Sequence, residues 1–464
     1  MFAASRLHFA IIVITSPALS MAWSNFKVLI IGGGPVGLFA AHALRSVGMD
    51  FLLLEQREDI IIDVGACLAL TPATLRVFQQ LGLLDQLLAI GCELEKRQTF
   101  TLDGHLFDST LFQCMKKNHG SSIHVFHRAE LIKLLYDSLG DDRRKIMTGK
   151  KVTDIITRDN GVTAICDDGS TYQGSMILGA DGAHSKTRRL MRELAVKSRP
   201  NTEWDLELPY VSTYKCMFFC IPQASAPAYF VDTESKNRSV IYATSKHRTW
   251  VFLSDKLQQP TAERASYTAE DADTFAKSFE DYPVTKSLKI RDILSQKASS
   301  GMVNLEEGLV KHWSWGRIVL AGDSCHKFTP HAGLGFNNGV QDIVMLLNEL
   351  RAVSLAPGHV LNSAELTGAF QSYQTRRCDP LKADAFVSAL ITRLQAWDNT
   401  FYYMLARYIA PLRIWEYLLW NYAAPQGMKI TPVLDGIPAV EPFLGAIEWE
   451  NKLKAPAATD SQES

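Results

Sequence analysis

Three short stretches of the chain carry residue types at spacings that do chemistry. The first is Gly32-Gly33-Gly34-Pro35-Val36-Gly37, which follows an apolar run at 28–31 and precedes a helix-forming stretch. In that setting Gly32 makes a tight turn and Gly34 lets backbone approach a pyrophosphate. Gly37 lets the helix pack closely on the strand. The phosphates then meet the free N–H groups and positive end of the helix. Glu55 closes a second apolar run at 51–54, at the distance expected of an acid that accepts from ribose hydroxyls. A carboxylate there repels a 2′-phosphate, so the site suits FAD or NAD and excludes NADP.

The second stretch is Gly179-Ala180-Asp181-Gly182-Ala183-His184-Ser185, followed by Arg188. The third is Gly322-Asp323 with His326, Lys327, Thr329 and Pro330. No Walker lysine follows these glycines, which excludes a loop cradling a nucleoside triphosphate. A nicotinamide dehydrogenase needs neither stretch. A flavin needs an acid along its ribityl chain, and Asp323 at a strand end supplies one. The helix beginning near Gly335 aims its positive end at the flavin pyrimidine edge, favouring the negative charge that reduction creates. The expected cofactor is therefore FAD.

The elements that must hold these residues follow from pattern. Residues 28–31, a helix at 37–47 with Leu38, Ala41 and Leu44 on one face, and residues 51–54 form a βαβ unit, which implies a parallel sheet. Amphipathic helices are expected at 72–81 and 128–139. Strands alternate through 146–178, with Asp167-Asp168-Gly169 as a hairpin turn. Residues 205–305 change character: STYKCMFFCI, AYFV, RSVIYAT and TWVFL read as an antiparallel sheet, with a helix at 269–279. From 340 onward the pattern is mostly helical. The expected fold is α/β: a Rossmann-type parallel sheet that binds FAD, interleaved with an antiparallel-sheet substrate domain and ending in a helical region. The expected divisions are an apolar extension or anchor at 1–25 and FAD-binding segments at 26–204 and 306–350. The substrate domain is expected at 205–305, the helical region at 351–454 and a polar tail at 455–464.

Composition sets the outer bounds. The 464 residues are 47% hydrophobic and 21% charged, ordinary for a folded protein with a large core. With 48 basic and 49 acidic residues the net charge is -1, so no electrostatic footprint for nucleic acid exists. The eight cysteines are scattered without a Cys-x-x-Cys, which argues against zinc and thiol redox chemistry, and no metal site is expected.

Together the motifs resemble the single-component flavoprotein monooxygenases of the para-hydroxybenzoate hydroxylase fold. HKFTP after Gly-Asp and TYKCMFF in the middle sheet are similar to a narrower group, the fungal FAD-dependent epoxidases of the paxilline-pathway and meroterpenoid type. Beside the turn of Gly32, Gly34 and Gly37, the resemblance implies FAD contacts at Glu55, Ala69, Arg128, Asp323 and Phe336, and a catalytic role for Tyr214. On pattern alone, Arg128 also fits a surface arginine at a helix start, and Tyr214 a strand aromatic in the core. Four positions depart from the group: Ala69 replaces a glycine, Phe336 a small residue, His331 an asparagine and Leu334 a glutamine. A bulky Phe336 is expected to reshape the flavin face.

The resemblance implies an NAD(P)H- and FAD-dependent oxidoreductase that takes NADPH as a transient reductant. It inserts one atom of O2 into a lipophilic substrate, epoxidising a prenyl alkene in secondary-metabolite biosynthesis, with aromatic hydroxylation as the alternative. A disulfide reductase would need a cysteine pair after the first glycine turn, and Cys67 stands alone. A prenyl-binding escort protein on a related fold is the non-enzyme rival, disfavoured by the intact Gly-Asp and Asp-Gly motifs. The apolar run FAIIVITSPAL near the start reads as a membrane anchor, a cleaved signal or an extension. Export would separate the protein from its cofactor, so an intracellular, endoplasmic-reticulum-type membrane association is expected, or a cytoplasmic location without an anchor. The aromatic stretch at 401–425 suits a membrane surface, or else a helical pair buried against the flavin domain.

Overall fold

A computed structural model of the chain describes residues 23, 25–222, 226–353 and 361–456. The expectations for the N-terminal apolar run and for the tail from 457 lie outside the described residues.

Apolar runs buried on both faces make the parallel sheet. Strand β1 (Lys27–Ile31) is buried along 28–31, and β2 (Asp50–Leu54) pairs with it in parallel. Between them α1 (Pro35–Ser46) starts on a proline, whose missing N–H costs nothing in a first turn, and buries Gly37 through Leu44. Later chain adds β7 (Ile146–Met147), β8 (Met176–Gly179), β14 (Ser314–Trp315) and β15 (Ile318–Leu320), in the order β14-β15-β8-β1-β2-β7. The three motifs thus end up at the carboxyl ends of β1, β8 and β15, which are neighbours in this sheet. A ligand in an open α/β sheet sits at that edge.

The second sheet has eight strands in the order β16-β13-β9-β12-β11-β10-β4-β5. Its antiparallel centre is β9 (Val211–Ile221), β10 (Tyr229–Ser235), β11 (Arg238–Thr244), β12 (Thr249–Thr261) and β13 (Ser299–Leu309). One edge is β16 (His326–Lys327), directly after the Gly-Asp motif. The other edge is β4 (Lys96–Thr101) and β5 (Leu106–Ser109), so residues within 26–204 also build this sheet, through a parallel β4–β10 pair. Alternation divides its faces. Met217, Phe219 and Ile221 pack under α4 (Ala269–Lys277), while Tyr214, Cys216 and Cys220 face the flavin-type domain.

Helix α5 (Leu334–Val353) packs on α1, and α6 (Ser363–Gln395) packs on α5. Helices continue to Lys429, not to 454 as expected. Pro432, Pro438 and Pro442 lack the N–H that a helix needs, and the chain there is irregular. Side chains strap it down instead: Arg76 pairs with Glu441 at 2.5 Å and lies 4.0 Å from the Trp449 ring centre.

Candidate active site

Gly32 has φ +109°, and a Cβ there would lie 2.6 Å from the Ala180 carbonyl oxygen, so only glycine fits between β1 and the second motif. A Cβ on Gly37 would lie 1.9 Å from the Gly32 carbonyl oxygen. Gly34 differs: a Cβ there would meet nothing within 4 Å. The turn presents open space beside the helix N-terminus, which is the shape of a phosphate seat. Glu55 is buried, and its two oxygens accept from the N–H of Gly33 at 2.6 Å and of Arg57 at 2.9 Å. Those bonds fix the carboxylate plane and leave lone pairs for ribose hydroxyls.

Arg128 opens α2 (Arg128–Asp137), its N–H donating to Ala66 at 3.0 Å. Burial holds its guanidinium below the usual range, the charge of Arg57 adds to that, and Asp323 opposes it. Three residues far apart in sequence therefore share one electrostatic neighbourhood.

Asp323 follows Gly322, whose φ is +63°. Its carboxylate pairs with Lys327 and remains 32% exposed, so it is available to a ligand. Its carbonyl accepts from the Tyr210 hydroxyl at 3.1 Å. A Cβ on Gly335 would lie 3.8 Å from Asp323 Oδ1, which places the acid beside the start of α5 as expected.

Several residues that build this site carried no signal in the sequence. Asn337 Nδ2 donates to the carbonyls of Ala69 and Gly333, both at 2.7 Å, while its Oδ1 accepts from the Thr74 hydroxyl at 2.6 Å. It staples β3 (Cys67–Leu70) to the turn before α5. Asp342 is fully buried, with His326 Nε2 2.5 Å from one oxygen, to which the Gly322 N–H also donates at 2.8 Å. Its other oxygen accepts from Arg377 at 2.8 Å. Burial alone would raise the Asp342 pKa; His326, Arg377 and the Gly322 N–H outweigh it and hold it near about 2. Cys325 lies in the same cluster, but a guanidinium and a backbone N–H already occupy the carboxylate, which suits an ion-paired hub and not a cation. His184 faces Glu306 at 3.3 Å. Trp313 is core.

Two expectations need correction. The Phe336 ring packs edge-on against Phe39 at 6.4 Å inside the core between α1 and α5. Its bulk therefore does not shape a flavin face; only the backbone of this turn is left to face a ligand. Tyr214 is fully buried on β9 with its hydroxyl bonded to Asp398, which also pairs with Lys256 at 2.8 Å. Burial and then Asp398 push the phenol pKa up, so the hydroxyl keeps its proton and donates it to Asp398. Its one donor is committed and not free for a substrate.

Open space beside the helix N-terminus, an oriented carboxylate at Glu55, Arg128 near Arg57 and Asp323, and a partly exposed aspartate suit a bound FAD. A family profile described as FAD binding domain matches residues 25–367. The chain belongs to the FAD-dependent monooxygenases. It is 35% identical to FAD-dependent monooxygenase srdH of Neurospora crassa, over 77% of this chain and 84% of that one. It is 31% identical to FAD-dependent monooxygenase olcE of Penicillium canescens, over 83% and 85% of the two chains. Klebsiella pneumoniae HpxO, solved with FAD and uric acid, shares the fold, with a TM-score of 0.64 at 20% identity over 87% of this chain and 95% of that one. This monooxygenase is thus an enzyme, and the escort reading falls. Bound FAD, reduced by a nicotinamide cofactor, supplies the activation of O2. We propose that Glu55, Arg128 and Asp323 would hold it.

Proposed function

We propose that this monooxygenase epoxidises a prenyl alkene on a meroterpenoid or indole-diterpene intermediate of secondary-metabolite biosynthesis. The observation that carries this reading is the sheet face turned to the flavin loop. Cys216, Cys220, Ile241, Ala243, Trp250 and Phe252 are buried there, with Ala69 of the stapled strand β3 packed against them. An apolar wall against the flavin turn favours a greasy alkene and keeps water from the reacting centre. The chain's part is to bind, to orient and to exclude water. The test is incubation of the yellow enzyme with NADPH, heavy-oxygen-labelled O2 and a farnesylated phenol. An epoxide carrying one labelled atom supports the reading; a ring-hydroxylated product carrying the label would replace it with aromatic hydroxylation.

A membrane-surface location is part of the same reading. The stretch at 401–422 docks on Thr110 and Asn118 through Glu416 and the Trp420 carbonyl but turns an apolar face outward: Phe401 is 68% exposed, Ile414 66% and Trp415 49%. Among the described residues no helix is long and apolar enough to cross a membrane, so the stretch would lie on the surface. Co-sedimentation with phosphatidylcholine vesicles, lost on Ile414→Glu with Trp415→Glu, checks this.

A further inference from the structure

Asp323 sets up an electrostatic conflict for the cofactor it is proposed to hold. A carboxylate suits the ribityl hydroxyls, yet uptake of two electrons and one proton leaves the reduced flavin with one negative charge. An acid beside a ring that becomes anionic opposes its reduction by simple repulsion. The structure places one side chain where it removes this conflict.

Lys327 belongs to β16, the two-residue edge strand after the Gly-Asp turn. There Lys327 pairs with Gly308, and His326 with Leu309. Alternation sends the two side chains to opposite faces. His326 enters the buried hub at Asp342. Lys327 turns the other way and closes an ion pair with Asp323. The backbone on either side of the pair is pinned. The Gly322 N–H donates to Asp342 at 2.8 Å, and the Ser324 hydroxyl donates to the Gly179 carbonyl at 2.7 Å. The Val310 N–H donates to the Cys325 carbonyl at 3.0 Å. A fixed turn therefore carries both partners, and the pair does not depend on two free side chains finding each other.

The pair is reachable. Lys327 is 28% exposed and Asp323 32%, unlike the sealed Asp342 beside them. It also stands among other charges. Glu306, on β13, is 16% exposed and faces His184 at 3.3 Å. Arg128 and Glu306 are both near enough for their charges to act on Lys327. Burial works against the ammonium; Asp323 and then Glu306 outweigh it and hold its pKa above the usual lysine range. Two acids, Asp323 and Glu306, and two bases, Lys327 and Arg128, thus balance beside the start of α5, where a Cβ on Gly335 would lie 3.8 Å from Asp323 Oδ1. Without Lys327 these four groups become one net negative charge.

We propose that Lys327 is a positioning residue for flavin reduction: its ammonium cancels the charge of Asp323, so that the acid that holds oxidised FAD does not repel the reduced form. The proposal rests on Asp323 lying against FAD, which Asp323→Ala tests separately through flavin content. It is independent of which product the enzyme makes.

The experiment compares K327M and K327R with wild type, each as the FAD-loaded full chain, without substrate and without oxygen. Dithionite is added in the presence of a reference dye, and absorbance gives the ratio of reduced to oxidised flavin at a fixed dye ratio. In K327M that ratio is expected to fall about tenfold, the order expected when one unit charge is lost near a partly exposed group. K327R keeps the charge and the wild-type ratio. Affinity for oxidised FAD is read by titrating FAD-free protein and following flavin fluorescence. It is expected to change by less than about threefold in K327M, the scale of a partly exposed ion pair. A merely structural lysine would loosen oxidised and reduced FAD alike and leave the ratio unmoved. An unmoved ratio in K327M, an equal fall in K327R, or loss of oxidised FAD from K327M overturns the proposal. Wild-type flavin content in Asp323→Ala removes the premise instead, so the two failures are distinguishable.

Discussion

Arg377, on the long C-terminal helix α6, holds the Gly322 turn through one intermediary: it donates to Asp342 at 2.8 Å, and Asp342 accepts from the Gly322 N–H at 2.8 Å. From Arg377 the helix runs on to Gln395, about 27 Å at the usual rise, and there meets the inner face of the second sheet at Asp232. Midway, Ser388 and Thr392 hydroxyls lie 3.0 and 2.6 Å from that of Thr329 in the flavin loop. One rigid element thus sets the distance between the Asp323 turn and the sheet wall.

Removing the charge of Asp342 should damage both stability and cofactor binding. Asp342→Asn leaves Arg377 buried without its counter-charge, a change that costs about 3–5 kcal/mol when one partner of a buried pair is lost. Urea unfolding of the FAD-free protein measures the stability term. Flavin retention on gel filtration measures the loosening of the turn.

Phe336→Ala should act as a core cavity. Truncating a buried phenylalanine costs about 3–5 kcal/mol, and the side chain packs on Phe39, away from the cofactor turn. The variant is expected to unfold at lower denaturant while the fraction that stays folded binds FAD with wild-type affinity. An unchanged midpoint with an altered flavin spectrum would return Phe336 to the flavin face.

Acid should weaken the fold before carboxylates titrate. Burial lowers the pKa of His42, His119 and His331 to about 4 from an unfolded value near 6.5. Between those values the unfolded chain binds more protons, so stability is full above about pH 6.5 and falls as pH drops toward 4. His331→Asn should flatten that slope, seen as a smaller loss of thermal midpoint between pH 7 and pH 5.

Tyr214→Phe tests whether the tyrosine positions or reacts. Its hydroxyl is committed to Asp398, which Lys256 also holds, so the variant should lower product formation by less than about tenfold, the scale of one lost hydrogen bond. A loss of a hundredfold or more in product with NADPH oxidation intact would make Tyr214 a catalytic donor.

The parts of the site written as local pattern were legible in the sequence. Gly32 and Gly34 sit between a buried strand and a helix, and Asp323 ends a strand, so short-range spacing was enough. Asn337, Asp342 and Arg377 were not legible. Each acts on a partner from a different element: Asn337 on Ala69, Asp342 on Gly322 and Arg377 on Asp342. A pairing between distant segments leaves no periodicity to read. Phe336 and Tyr214 were read as cofactor or catalytic residues from motif position, which carries no information on which way a side chain points. Only the packing of α5 on α1, and of the 395–398 clasp on β9, decides that.

The most direct test of the cofactor clamp is flavin content and oxygen insertion in Asp323→Ala. The carboxylate stands beside the start of α5 and within the field of Arg128. The variant should elute from gel filtration nearly colourless, with normal far-ultraviolet dichroism and no labelled product. Wild-type flavin content together with wild-type oxygen insertion in Asp323→Ala would contradict the clamp.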